Sequence, residues 1–285
     1  MSKKALYITA IVMIMTAVVM GLILLMVNIK KIPELALAYV AEKVEAERKQ
    51  ELLTDLNKAD FQHVTIYYSD SDKELLPATK EALTKGMKIN EQLLGSYHKP
   101  LDVVLFSTNE QIEVFSGLDY AIGFHAADLN MVGILPENRE GILNDVGPTI
   151  WLYNNNVIHE YTHYALTQRL SELRLDDTDI PKWFSEGMAV YFGSDGHTQS
   201  TIDTEIIPLA RLSTREGWNE YRTNPTYDIY YQSSYYIQSL AEEFGSTIFN
   251  EILTETKKTG DFQKGFQHAT KMDLQEFENK VNAAL

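Results

Sequence analysis

Two histidines four residues apart, with a glutamate directly after the first, stand at residues 159–163: His159, Glu160, Tyr161, Thr162, His163. The pattern constrains the fold strongly, because it has chemical meaning only on a helix. There, positions four apart share a face about 6 Å along the axis, so both imidazoles can converge on one ion. Glu160 is turned about 100° from His159, close enough to reach a water on that ion without ligating it. Trp151, Leu152, Ile158, Ala165 and Leu166 can pack such a helix, although Asn154, Asn155 and Asn156 leave its start open. The chain contains no cysteine, which excludes disulfide scaffolds, catalytic thiols, iron–sulfur clusters and thiolate metal sites. Any metal must be held by nitrogen and oxygen. With 25 basic against 40 acidic residues the net charge is -15, which argues against a nucleic-acid partner, since phosphates need a basic footprint. Negative charge without cysteine fits an exported bacterial protein.

A third ligand decides between metal-site classes. The metzincin continuation needs Gly three residues after the second histidine and His three beyond that. Leu166 and Arg169 occupy those places. A glutamate on a following helix is the other option, and Glu186 sits 23 residues after His163, inside the segment from Pro181 to Phe192. That separation allows a helix end, a turn and a second helix laid against the first. Gly187 and Ala189 are small and should let this helix approach the metal helix, while Trp183, Phe184 and Met188 pack it. A carboxylate set among aromatics is not placed like an ordinary solvated glutamate.

The segments HEYTH and PKWFSEGMAVYF together resemble the gluzincin metallopeptidases, in particular the peptidase MA-like branch, whose members show HExxH followed by P-x-W-x-x-E-G-x-A. The similarity covers about residues 60–285. It implies that His159, His163 and Glu186 ligate one zinc ion and that Glu160 is the general base. It also implies an α+β fold of zincin-like type, a small mixed sheet on a helical half with the cleft between them. The tyrosine at the start of a later helix, which would steady the oxyanion, matches Tyr231 best, with Tyr230 and Tyr235 behind it. Two departures stand out. Thermolysin-like enzymes carry an aspartate four residues after the ligand glutamate, where this chain has Val190. The Gly-x-Met-x-Asn element by which large aminopeptidases grip an amino terminus is absent, so the activity implied is that of an endopeptidase on peptide or protein substrates. The alternative is a metal-containing binding or regulatory module without peptidase activity.

The rest of the chain organises around that domain. Ala5–Ile29 is uncharged and largely apolar, and twenty-five residues at helical rise exceed a hydrocarbon core of roughly 30 Å. The expectation is therefore an uncleaved transmembrane anchor over residues 1–30, in contact with the lipid bilayer through 5–29. A helical stalk over 31–59 and the metallopeptidase domain over 60–285 follow. The protein would be single-pass in the cell membrane with its catalytic domain extracytoplasmic. Intramembrane proteolysis is disfavoured, because one span only is present and Asn154, Asn155, Asn156, Gln168 and Arg169 flank the motif.

In the body, strands are expected at 64–68 and 101–106, with a hairpin of 123–126 and 131–135. A helical pattern then runs almost to the end, broken by a loop-like stretch between Gly193 and Thr226. The hairpin between Ala121 and Leu135 is the candidate edge for pairing with an extended substrate. His125 within it reads as an ordinary surface histidine, with a hydrogen bond to substrate as the alternative. His63, His98, His197 and His268 lack partner spacing and read as structural or solvated.

Overall fold

The computed structural model describes residues 43–196 and 204–283. The chain divides into two units, residues 1–54 and 55–285. In the first, residues 43–54 form helix α1, whose charges mix signs in pairs such as Lys43 with Glu47. The anchor expected over 1–30, the first part of the stalk and His197 lie outside the described residues.

The second unit begins with the hairpin of β1 (Asn57–Phe61) and β2 (Val64–Tyr68). β2 alternates buried Val64, Ile66 and Tyr68 with half-exposed Thr65 and Tyr67, as a strand covered on one face must. Helix α2 (Leu76–Leu93), entered through Pro77, crosses over to β3 (Leu101–Leu105), which pairs parallel with β2. After α3 (Asn109–Ser116), the hairpin of β4 (Gly123–Ala126) and β5 (Met131–Ile134) completes a five-stranded sheet in the order β1-β2-β3-β5-β4. β5 is parallel to β3 and antiparallel to β4, so the sheet is mixed and β4 is an edge. β1 was not expected, and it displaces the end of the stalk: its polar residues carry no period-two pattern, and the tight turn at Gln62, at φ 57°, brings it onto β2.

Helices follow. α4 (Arg139–Leu143) leads into α5 (Gly147–Leu173), and a single 3-10 turn separates α5 from α6 (Lys182–Gly193). Inside the stretch expected to be a loop lies α7 (Arg215–Tyr221), capped by the Thr214 hydroxyl. The remaining helices are α8 (Ile229–Phe244), α9 (Ile248–Thr259), α10 (Phe262–Thr270) and α11 (Leu274–Asn282). α6 carries Trp183, Phe184, Met188 and Phe192 into an aromatic core with Tyr236, Phe249 and Phe262.

Two expectations are overturned. Among the described residues no helix is long and apolar enough to cross a membrane. α5 has the length, at 27 residues, but it carries Glu160, Arg169 and Glu172 and packs within its own domain. The run 5–29, on which the transmembrane helix, the lipid contact and the cell-membrane placement rested, lies outside the described residues. The architecture is α+β with a small mixed sheet; neither the membrane helix nor the zincin label is part of what is seen.

A third expectation shifts partner. A Cβ at Gly187 would come within 2.6 Å of the Ser233 carbonyl and 2.8 Å of Ile237 Cγ1, so this glycine admits α8 and not α5. The close approach of α6 to α5 is made at Gly193, where a Cβ would lie 2.8 Å from the Asn155 carbonyl. In an open helix Gly→Ala stabilises by roughly 1 kcal/mol. Gly187→Ala should instead lower the unfolding free energy, by about 1–3 kcal/mol, because backbone cannot move aside as a side-chain tip can. Urea unfolding of the two proteins measures the sign.

Candidate metal centre

One flank of α5 is tied to the rest of the domain by buried polar groups. Tyr153 meets the Thr79 hydroxyl at 2.7 Å, Asn90 donates to Thr162 Oγ1 at 3.1 Å, and the Tyr164 hydroxyl donates to the Lys99 carbonyl at 2.7 Å. Each of these bonds lies off water, where leaving a partner unmade costs more than the bond is worth in solvent. The helix is thereby held against rotation, and its opposite flank presents His159 and His163. α5 ends where Arg174 adopts a left-handed conformation at φ 55°. Pro181 then caps α6, whose first amides, on Lys182 and Trp183, donate to the carbonyls of Ser213 and Leu212.

This places three donors together. His159 Nε2 and His163 Nε2 are 3.1 Å apart, and Glu186 Oε2 lies 3.6 and 3.4 Å from them. Their side chains are 13–17% exposed, open enough to admit a small ligand. Glu160 is 5% exposed, and its carboxylate and the two imidazoles have donor atoms that all lie within 4.8 Å of one another. The other oxygen of Glu186 faces Lys182 Nζ at 3.7 Å. Lys182 also reaches Asp177 at 3.7 Å, and Arg215 reaches Asp177 at 3.8 Å.

The charges of this group are interdependent. Burial pushes the Glu186 carboxyl upward, but the charge of His163 and bonds from both imidazoles outweigh it and hold the carboxyl well below its usual range. Burial likewise pulls His163 down, and the charge and hydrogen bond of Glu186, with help from Glu160, raise it above the ordinary value. Glu160 is raised: burial dominates over the attraction of the two imidazoles, and the like charge of Glu186 adds to it.

Over the chain as a whole, no family model matches. Across 231 residues it is 37% identical to the uncharacterized protein YhcO of Bacillus subtilis (strain 168), an alignment covering 81% of this chain and 72% of YhcO. The chain belongs to the YhcO family.

Several residues of the site were not singled out by sequence. Gly123 is one: a Cβ there would stand 2.6 Å from Glu160 Oε1 and from Asn156 Oδ1, so β4 crosses Glu160 only because this position is glycine. Lys182 is another: it stands four residues before Glu186, the spacing of a helical ion pair. Tyr230 is the tyrosine seen against the histidines, its ring centroid 6.4 Å from that of His159 and edge-on to Trp218 at 4.9 Å. Burial, and then the charge of Glu186, push its hydroxyl up to about 12, so it keeps its proton. Tyr231, the residue expected in that role, follows it on α8 with its backbone amide on the Asp228 cap. The i, i+3, i+7 series Tyr230, Ser233, Ile237 is the face α8 turns to Gly187, beside Glu186. The spacing from Gly187 to that face was the signal available in advance, had the α6–α8 contact been known.

His125 is no ordinary surface residue. It is half-buried on β4, two residues from Gly123 and therefore on the same face of the strand. Burial, followed by the nearby charges of His163 and Lys182, lowers its pKa from 6.5 to about 3. Between those values the unfolded chain takes up a proton that the folded one refuses. Stability must fall as pH drops through that window, by up to about 1.4 kcal/mol per unit from this one group. In urea titrations of metal-free protein at successive pH values, His125→Gln should lose stability less steeply than the parent below pH 6.5. Parallel slopes would mean that the imidazole is solvated.

Proposed function

We propose that this protein is a zinc-dependent peptidase that hydrolyses internal peptide bonds. The observation that carries the reading is the convergence of two imidazole nitrogens and one carboxylate oxygen beside a second, buried carboxylate. The donor set suits zinc on its dimensions. A tetrahedral ion with bonds of about 2.0–2.1 Å holds its donors roughly 3.3 Å apart, and the three separations found are 3.1, 3.4 and 3.6 Å. His159, His163 and Glu186 would hold the ion. A bound zinc supplies the Lewis acidity that polarises a scissile carbonyl and acidifies water toward neutrality.

The chain's own residues supply the rest. Glu160, with its pKa raised by burial, is a stronger base than an ordinary carboxylate; it takes the proton of the attacking water and passes it to the leaving amine. Lys182 fixes one oxygen of Glu186 and leaves the other turned to the imidazoles. Tyr230, protonated and beside His159, is a hydrogen-bond donor for the oxyanion that develops on the carbonyl, and it takes precedence in that role over Tyr231. The open edge of β4 gives an extended substrate backbone groups to pair with, which suits cleavage within a chain.

Glu160→Gln should retain one zinc per chain by elemental analysis and lose peptide hydrolysis by a factor of about 10²–10⁴. Treatment with a chelator should abolish hydrolysis by the parent protein, and zinc should restore it. Full activity in the variant would falsify the base assignment, and activity that survives complete metal removal would end the metallopeptidase reading.

A further inference from the structure

Among the described residues of the 55–285 unit, every exposed large apolar side chain falls within two chain segments, 114–122 and 143–152. They include Tyr120 at 80%, Ile122 at 43%, Trp151 at 52% and Leu152 at 60% exposure. The second segment ends on α5, and one turn beyond Leu152 on that helix Asn156 Nδ2 donates to the Ile122 carbonyl of the first at 2.8 Å. Soluble domains seldom leave such side chains grouped in water unless something docks there.

The position of this group says what docks. Leu152 precedes His159 by seven residues, which is 20° short of two turns and roughly 10.5 Å along the axis. The face of α5 that carries the histidines therefore continues directly onto Leu152. From the other side, Ile122 is followed at once by Gly123, which lies against Glu160. Leu135 donates its amide to the Ile122 carbonyl, and in an antiparallel ladder this makes Phe124 and Ala126 the next residues bonded to β5. The backbone groups of Gly123 and His125 then point to the open edge. A chain extended along β4 past Glu160 runs onto Ile122, Leu152 and Trp151.

We infer that this surface is a docking strip for the polypeptide being cut, and that it selects substrates carrying a run of large aliphatic or aromatic side chains beside the scissile bond. Such runs are accessible in unfolded chains and buried in folded ones, so the substrate class is extended, apolar polypeptide. The inference rests on the peptidase reading for its cleavage step but not for its binding step. A second copy seated here would cover β4 and close the site. An anionic lipid surface would meet a chain of net charge -15.

Binding is best read without turnover, in the full chain carrying Glu160→Gln. The probes are two fluorescein-labelled decapeptides of equal charge, one with Leu and Phe at alternate positions and one with Ser and Gln there. The apolar peptide should bind at least tenfold more tightly. Trp151→Ser combined with Leu152→Gln should erase that preference and leave the Ser/Gln peptide unchanged, with Val44→Ser as the exposed control. Circular dichroism melting verifies that the double variant is folded, and Ile122→Thr repeats the test from the other segment. Equal binding of both peptides would overturn the proposal. So would an unchanged preference in both variants, whether or not they lose self-association in sedimentation or binding to phosphatidylcholine vesicles. If the peptidase reading alone is wrong, wild-type protein binds selectively and cleaves neither peptide. If the docking strip alone is wrong, wild-type protein cleaves both at similar kcat/KM.

Discussion

Glu160 and Glu186 are both withdrawn from water within reach of the same two imidazoles, and much of the helical half is arranged around the cost of that burial. Two carboxylates in a low-dielectric setting repel each other and lose hydration, and they persist only where positive charge is close. His163 is raised and Glu186 depressed because each supplies the charge the other lacks, with Lys182 on the far oxygen. Glu160 meets the same two imidazoles, but there burial outweighs their attraction and its pKa is raised. The asymmetry separates the two: Glu186 is held as an anion, and Glu160 keeps a proton more readily than an ordinary glutamate. Environment alone separates two chemically identical side chains.

That division requires α5 to stand still. Its fixing contacts come from α2 and from the residues just before β3, on the flank away from the histidines, so the site is positioned by groups that take no part in it. The β4 strand is brought in from the other side and must pass so near Glu160 that only glycine fits at position 123. The placement of β4, Glu160 and Glu186 thus depends on three close approaches, at Gly123, Gly187 and Gly193. At Gly187 and Gly193 the approach is to backbone, which cannot yield by a change of rotamer, and at Gly123 it is to the side chains of Asn156 and Glu160.

Much of this was legible in advance where one element carries the whole message. The histidine pair and Glu160 need only a helix, and the β-branched and aromatic content of 64–68 needs only a covered face. What escaped involves a second element. β1 is polar because it lies at an edge and is formed by its turn. α7 is short, and Trp218 gains its meaning from Tyr230. His125 resembles any hairpin histidine until β4 is laid over α5. The choice between Tyr230 and Tyr231 is a 100° rotation of α8, which depends on where Gly187 lets that helix settle.

The position four residues after Glu186, where the thermolysin-like enzymes carry an aspartate, holds Val190 and leaves the outer partner of the site unidentified by sequence. That partner lies one turn in the other direction. Lys182 is four residues before Glu186, on the same helical face, and it pairs with the Glu186 carboxylate instead of an imidazole. The exchange changes the electrostatics. An outer aspartate adds negative charge and strengthens an imidazole as a donor. An outer lysine keeps the carboxylate ionised and oriented while no cation is present, and it weakens the pull on the cation once one arrives. A carboxylate held in this way is oriented before any cation arrives. Asp177 and Arg215 extend the network from Lys182 toward solvent, which spreads the compensating charge over a wider surface and moderates that cost.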